Sequence, residues 1–283
     1  MEKAIKRYWP VFVVPTLAAF LIGFVWPFLQ GLYLSFCKFI TIDKAQWNGL
    51  KNYIFALTEG DFLHSFWFTA LFTVVSTICI NAAAFAIALA LTRSIKGTNL
   101  FRSVFFMPNL IGGIVLGYIW NILLNCVLTL LGKPLLSLHA PYGFIGLVIL
   151  MCWQQIGYMM IIYIAGLQSI PNDYLEAARI DGATDRQILW RIKIPNVMPS
   201  ITICMFLSLT NGFKLFDQNL ALTAGEPGHA TEMLALNIYN TFYGRSGPQW
   251  KGYGQAKAVL FCILVIVISL AQLRATRSKE VQQ

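Results

Sequence analysis

Apolar residues in this chain do not alternate as in strands, nor recur every three to four positions as on surface helices; they form long, almost unbroken runs. A bilayer core about 30 Å thick is crossed by roughly 20 such residues at ~1.5 Å per residue. Six segments satisfy that length, at approximately 11–37, 66–91, 104–124, 144–167, 200–222 and 254–273. The pattern therefore predicts an all-α integral membrane protein with six transmembrane helices. Trp or Tyr at several run ends fits the aromatic belts of membrane interfaces. The first run follows Glu2, Lys3, Lys6 and Arg7, as in a signal peptide. It exceeds an h-region of about 7–15 residues and has no small-x-small cleavage site after it, so it reads as a retained span. Pro15 and Pro27 are expected to kink it.

Composition agrees with the pattern. Of 283 residues, 57% are apolar and only 12% charged, against about 25% charged in soluble domains, and the mean hydropathy is +0.64. The net charge of +9 would point to nucleic acid only if it formed a basic face on a soluble module. Here it serves as an orientation signal. With the N-terminus inside, thirteen cations fall in inner segments: Lys3, Lys6, Arg7, Arg93, Lys96, Arg102, Arg179, Arg186, Arg191, Lys193, Arg274, Arg277 and Lys279. Six, Lys38, Lys44, Lys51, Lys133, Arg245 and Lys251, fall in outer ones. The asymmetry predicts both termini in the cytoplasm, as does an even number of spans. Lys214 and Lys257 are the two cations left inside spans. The six cysteines are scattered singly in or beside apolar runs, each reading as a small buried hydrophobe. His64, His139 and His229 share no local motif. No catalytic, cofactor or metal site is expected on this chain.

The inner connection 168–199 is the most polar stretch, holding four acidic and four basic residues. Pro171 suits a first helical turn, Asp173 and Glu176 favour that positive end, and Gly182 permits the φ > 0 turn that stops the helix. Thr184 with Gln187 three residues on is a capping-box pattern, starting a second short helix through Ile192 that Pro195 and Pro199 end. Tyr174, Leu175, Ile180, Leu189 and Trp190 make the resulting helix-turn-helix more apolar than a solvated loop requires. It either packs on its own bundle or offers that face to another protein.

Glu176-Ala177-Ala178, then Gly182 after three residues, then Ile192-Lys193-Ile194-Pro195 after nine more, resembles the E-A-A-x-x-x-G and I-x-L-P pattern of permease subunits of binding-protein-dependent ABC importers. Ile194 for Leu is the departure. The resemblance implies that 1–283 is a single importer transmembrane domain whose loop 168–199 is a coupling helix docking in a cleft of a cytoplasmic ATPase. Glu176, Ala177, Ala178, Gly182, Ile192 and Pro195 would be the contact and turn positions.

Further segments are similar to the carbohydrate branch, the maltose-type sugar permeases of oligosaccharide systems. They are Trp47 to Tyr53, Phe216-Asp217, Leu222-Thr223-Ala224-Gly225-Glu226-Pro227, Thr231, Ile238-Tyr239 and Tyr253-Gly254-Gln255-Ala256. Glu226 departs from the usual G-G-P. The resemblance implies import of a sugar or oligosaccharide across a bacterial inner membrane by alternating access. The implied partners are a second permease, two ATPase subunits and an extracellular solute-binding protein. No G-x-x-x-x-G-K-[ST] stands in the chain, so ATP and Mg would be held by the partner ATPase, and this chain is not expected to be an enzyme by itself.

Polar residues within spans are candidates for the substrate pathway: Asn109, Gln154, Asn211 and Asn219, together with Asn81, Asn121, Gln155 and Gln218. Their amides suit either sugar hydroxyls or hydrogen bonds between helices. Lys214 and Asp217 either pair at helical i, i+3 spacing or line a cavity, and Trp120 and Trp153 either stack on a sugar ring or pack. An amino-acid or peptide permease is the alternative within the same class. A stand-alone secondary carrier would show repeats and buried ionisable relays, and a membrane enzyme a reactive cluster; neither pattern is evident.

Overall fold

A computed structural model describes residues 2–93 and 97–277; Lys96 and Lys279, two of the inner cations counted above, lie outside the described residues. In chain order the helices are α1 (Glu2–Phe20), α2 (Trp26–Leu34), α3 (Lys51–Thr58), α4 (Gly60–Leu91), α5 (Thr98–Phe106), α6 (Gly113–Leu130) and α7 (Ala140–Gln168). They continue with α8 (Asn172–Ile180), α9 (Asp185–Ile188), α10 (Ile194–Asn196), α11 (Met198–Phe213), α12 (Asp217–Leu222), α13 (Leu234–Tyr243) and α14 (Pro248–Arg277). Between α2 and α3, β1 (Cys37–Lys38) pairs antiparallel with β2 (Gln46–Trp47). Among the described residues five helices are long and apolar enough to cross a membrane; a sixth span is counted when Asp185–Asn196 and Met198–Phe213, bent by 68°, are taken together.

Two of the expected spans differ from what hydropathy alone suggested. The third begins at Gly113 rather than near 104. Pro108 sits in a tight turn, Met107–Leu110, and Gly112 is extended (ψ 139°), so 98–106 forms the separate helix α5. The fifth does not run through 222, because α11 stops at Phe213 and α12 starts at Asp217. Leu215 and Phe216 keep the hydropathy high across the break, which hides it from an apolar run count. The stretch 223–253, expected as a loop, contains α13.

Proline shapes the first span differently from a simple kink. Between α1 and α2 lies one wider turn, Leu21–Val25, in which the N–H of Trp26 bonds the carbonyl of Leu21, five residues back. Pro27 has no N–H to give, and the widened turn absorbs the missing bond within a helical path. Cys79 and Cys126 also depart from expectation: both are exposed, at apolar positions on the outside of α4 and α6, whereas Cys37 and Cys204 are buried.

The chain divides into two compact units, Met1–Glu59 with Ile238–Cys262, and Gly60–Asn237 with Ile263–Gln283. In the second unit α4, α7 and α11 pack around buried Phe72, Ile80, Leu150, Met160, Tyr163 and Cys204. Asn81 ties the three helices, donating to Ser208 Oγ (2.9 Å) and accepting from Tyr163 Oη (2.7 Å). Gly157 of α7 lies against the carbonyl of Phe105, leaving no room for a Cβ, so α5 is held close on α7. In the first unit the buried Asn52 amide donates to the carbonyls of Ser35 (2.8 Å) and Cys37 (2.9 Å), fixing α3 to the hairpin. The fully enclosed Lys257 of α14 forms an ion pair with Glu59 and donates to Thr241 Oγ1 (2.8 Å). Glu59 also accepts from Arg245 (3.1 Å), whose guanidinium stands 4.4 Å over the Trp250 ring.

Candidate functional site

The polar connection folds as the helix-turn-helix its residues specify. Pro171 is the extended residue at the start of α8, and Asp173 lies in the first turn, at the positive end of the helix. At the other end Gly182 adopts φ +77°, a conformation costly for any residue with a Cβ. Its N–H bonds the Arg179 carbonyl (3.0 Å), and that of Ala183 bonds Ala178 (2.9 Å), the closed C-terminal turn that satisfies the last carbonyls. Thr184 and Gln187 form the reciprocal capping box: the Thr184 N–H donates to Gln187 Oε1 (2.8 Å) and the Gln187 N–H to Thr184 Oγ1 (3.4 Å).

Pro195 does not end the second helix, contrary to expectation. A wider turn, Leu189–Lys193, lets the Ile194 N–H bond the Leu189 carbonyl, so that Pro195 enters the first turn of α10 without an unmade bond. This repeats the arrangement at Trp26-Pro27. The chain bends only at Val197 (φ −92°, ψ 2°), the single residue between α10 and α11. Glu176, Ala177 and Gly182 are exposed, while Ala178, Ile192 and Pro195 are half-buried. Leu175 packs on the helical core. Ile180 is 85% exposed and Trp190 62%, so the loop keeps large apolar side chains outside its own fold.

A second polar locus forms where α11 breaks. Gln155 of α7, Asn211 of α11, Lys214 and Phe216 of the break, and Asp217 and Gln218 of α12 line a cavity of about 280 Å³. Gln154 lies beside this set: it accepts from Gln218 Nε2 (2.7 Å) and donates to the Ile111 carbonyl (3.2 Å). Asn211 donates to Gln155 Oε1 at 3.5 Å, the long limit for such a bond. Lys214 and Asp217 are not joined by an ion pair among the described residues. Their spacing would let them meet on one helix, but the break at 214–216 removes that helix. Both therefore contribute polar groups to the cavity wall.

Other sequence candidates stand elsewhere. Asn219 is fully buried, donating to the Thr231 carbonyl (2.8 Å) and Thr223 Oγ1 (3.0 Å) and accepting from the Met233 N–H (3.0 Å). Its amide shapes the following loop rather than lining the cavity. Asn121 likewise donates to the Leu222 carbonyl (2.6 Å). Trp120 and Trp153 meet edge-on at 5.6 Å and are not among the residues lining the cavity, and Asn109 is half-buried in the turn before α6. Met151 lines the cavity but was not singled out in the sequence, where nothing separates it from other apolar residues; Phe216, quoted there only for its resemblance to the carbohydrate branch, lines it too.

Comparison with known proteins places these features in context. The model of the family described as "Binding-protein-dependent transport system inner membrane component" matches residues 82–278. The chain is 42% identical over 285 residues to the probable starch degradation products transport system permease protein of Thermoanaerobacterium thermosulfurigenes, covering 97% of this chain and 95% of that one. It is 30% identical to the multiple sugar-binding transport system permease protein of Streptococcus mutans, over 99% of each. Its fold is similar to that of a chain in a bacterial ABC transporter involved in import of the acidic polysaccharide alginate, with a TM-score of 0.81, 20% identity and 98% of both chains covered.

Proposed function

This chain belongs to the family of inner membrane components of binding-protein-dependent transport systems, and from that premise we propose that it is the permease subunit of an ATP-driven importer of a sugar or oligosaccharide. Both termini face the cytoplasm, the whole chain is one transmembrane domain, and the connection 168–199 is the coupling helix that docks in an ATPase subunit. A second permease, two ATPases and an extracellular solute-binding protein complete the assembly in the bacterial inner membrane. ATP and Mg belong to the ATPases; this chain supplies the path and the lever.

The observation that carries this reading is the continuity of loop and cavity. Helix Asp185–Asn196 joins α11 through the single residue Val197, and the other end of α11 opens into the break that lines the cavity. Force applied at Glu176, Ala177 and Ala178 reaches that wall through short, hydrogen-bonded turns. Small side chains at Ala177, Ala178 and Gly182 admit a close-fitting partner surface, and Glu176 offers a carboxylate to a partner's donor. Nucleotide-driven closure of the ATPases would move the lever and shift the bundle between outward-open and inward-open states. Amides at Gln155, Asn211 and Gln218 match the paired donors and acceptors of sugar hydroxyls. The names of the two relatives, one for starch degradation products and one for multiple sugars, support the substrate class.

The coupling test replaces Glu176 with Lys and Gly182 with Val. Expected is loss of co-purification with the ATPase and of substrate-stimulated ATP hydrolysis; retention of both would refute the docking role. For the substrate, a ligand screen on the solute-binding protein is expected to return a carbohydrate, and a screen returning only amino acids or peptides would replace the sugar assignment.

A further inference from the structure

The coupling loop has a second face, turned to the end of α4, on which Arg93, Arg179 and Arg186 stay exposed and Lys193 is half-buried. There a cavity of about 580 Å³ is lined by Arg93, Arg179, Arg186 and Lys193, with Asp185 as the one carboxylate. Four cations against one anion leave a formal charge of 4 − 1 = +3 on its wall. Leu89 of α4 and Leu175 of α8 supply apolar surface to the same cavity, and Thr92 a hydroxyl. Three of these residues come from the end of a span and the rest from the helix-turn-helix, so the charge is gathered by tertiary structure. A solvated inner loop needs cations for orientation, but orientation does not require them to be gathered around one space. Like charges lining one partly apolar cavity repel one another, and an oxyanion with several acceptor oxygens reverses that sign.

We propose that this cavity binds an organic phosphate, held by the guanidinium groups of Arg93, Arg179 and Arg186 and the ammonium of Lys193, with its organic part against Leu89 and Leu175. Arginine's planar fork suits phosphate oxygens, and the cavity has far more room than one phosphate group fills. A ligand there bridges the end of α4 to the lever and fixes the loop's angle to the span. The same chemistry is offered by an anionic phospholipid headgroup at the inner leaflet and by a soluble sugar phosphate. The inner location rests on the orientation proposed above; the site itself does not depend on transport.

The test is binding to the purified full chain in detergent, followed by native mass spectrometry, with phosphatidylglycerol in one arm, glucose 6-phosphate in the second, and the phosphate-free diacylglycerol and glucose as neutral controls. Saturable retention of phosphatidylglycerol or glucose 6-phosphate, but not of its neutral counterpart, is expected, and the arm that binds identifies the source. Removing a cation near a surface weakens such binding about fivefold. The double variant Arg179→Gln, Arg186→Gln should therefore bind about 25-fold more weakly, whereas Arg191→Gln, outside this cavity, should not change it. Asp185→Asn should bind more tightly, a gain that misfolding cannot imitate. Equal retention of charged and neutral ligands, or affinity indifferent to all three variants, overturns the proposal. Because no transport or ATP hydrolysis is read, this result is separable from the fate of the importer reading.

Discussion

Lys257 and Lys214 are both single cations in largely apolar surroundings, yet the protein treats them in opposite ways. Lys257 has no exposed surface; it is paired with Glu59 and bonded to Thr241, and Glu59 is shared with Arg245. Lys214 is exposed at the broken end of α11, in a wall of amides, with Asp217 nearby but not joined to it by an ion pair. Burial decides the difference. A cation removed from water needs opposite charge and hydrogen bonds around it, and once these are made it becomes a cross-link with little freedom. A cation that keeps access to a cavity needs no such partner and retains donors for a ligand. In this chain, then, the enclosed charge is architecture, and the accessible one lines a cavity where it can meet a ligand.

The largest expected effect lies on the architectural side. Lys257→Met leaves the Glu59 carboxylate with one cationic partner fewer in a dry site, and breaking a buried pair in this way costs about 3–5 kcal/mol. The expected outcome is a large fall in thermal stability and in the yield of folded chain from membranes. The double variant Glu59→Gln, Lys257→Met removes both charges and should recover part of the loss. A Lys257→Met protein with unchanged melting would break the comparison, because the pair would then not be holding α14.

Lys214→Gln should do the reverse. Stability is expected to hold within about 0.5 kcal/mol, as for accessible positions in general. Transport at low substrate concentration should fall about tenfold, the value of one charge-assisted hydrogen bond to a ligand. Melting curves and uptake by reconstituted vesicles separate the two. A variant that melts early but transports normally when folded would move Lys214 to the architectural class.

The unequal legibility of these regions has a physical cause. The helix-turn-helix of 169–199 is specified by neighbours in sequence: a turn glycine, a capping pair and two prolines, each acting over three to five residues. Its cap, its turn and its start could therefore be read directly. The wider turns before Pro27 and Pro195 could not, because proline reports a missing donor and not how the backbone will absorb it. The break in α11 was hidden by Leu215 and Phe216, which keep the run apolar. The partners of Lys257 were hidden by distance, since Glu59 and Lys257 are brought together only by the fold. Asn219 and Asn211 are the same residue type in the same apolar segment, and only tertiary contacts separate the amide that pins a loop from the one that faces a cavity.

The smallest predicted effect tests whether full hydrogen bonding is a sound mark of architecture. Asn81 has both ends of its amide engaged, by Tyr163, Ser208 and the Thr77 carbonyl (2.8 Å), within the packed center of α4, α7 and α11. Single interhelical hydrogen bonds in membrane proteins are worth about 0.6 kcal/mol on average, because the membrane-inserted alternatives also find partners. Tyr163→Phe removes one bond and little volume, so stability should fall by about that amount while uptake kinetics stay unchanged. A drop in uptake well beyond the loss of stability would place the Asn81 cluster on the path. Burial with satisfied bonds would then no longer separate the two kinds of polar group, and Lys257 would have to be judged by transport as well as by melting.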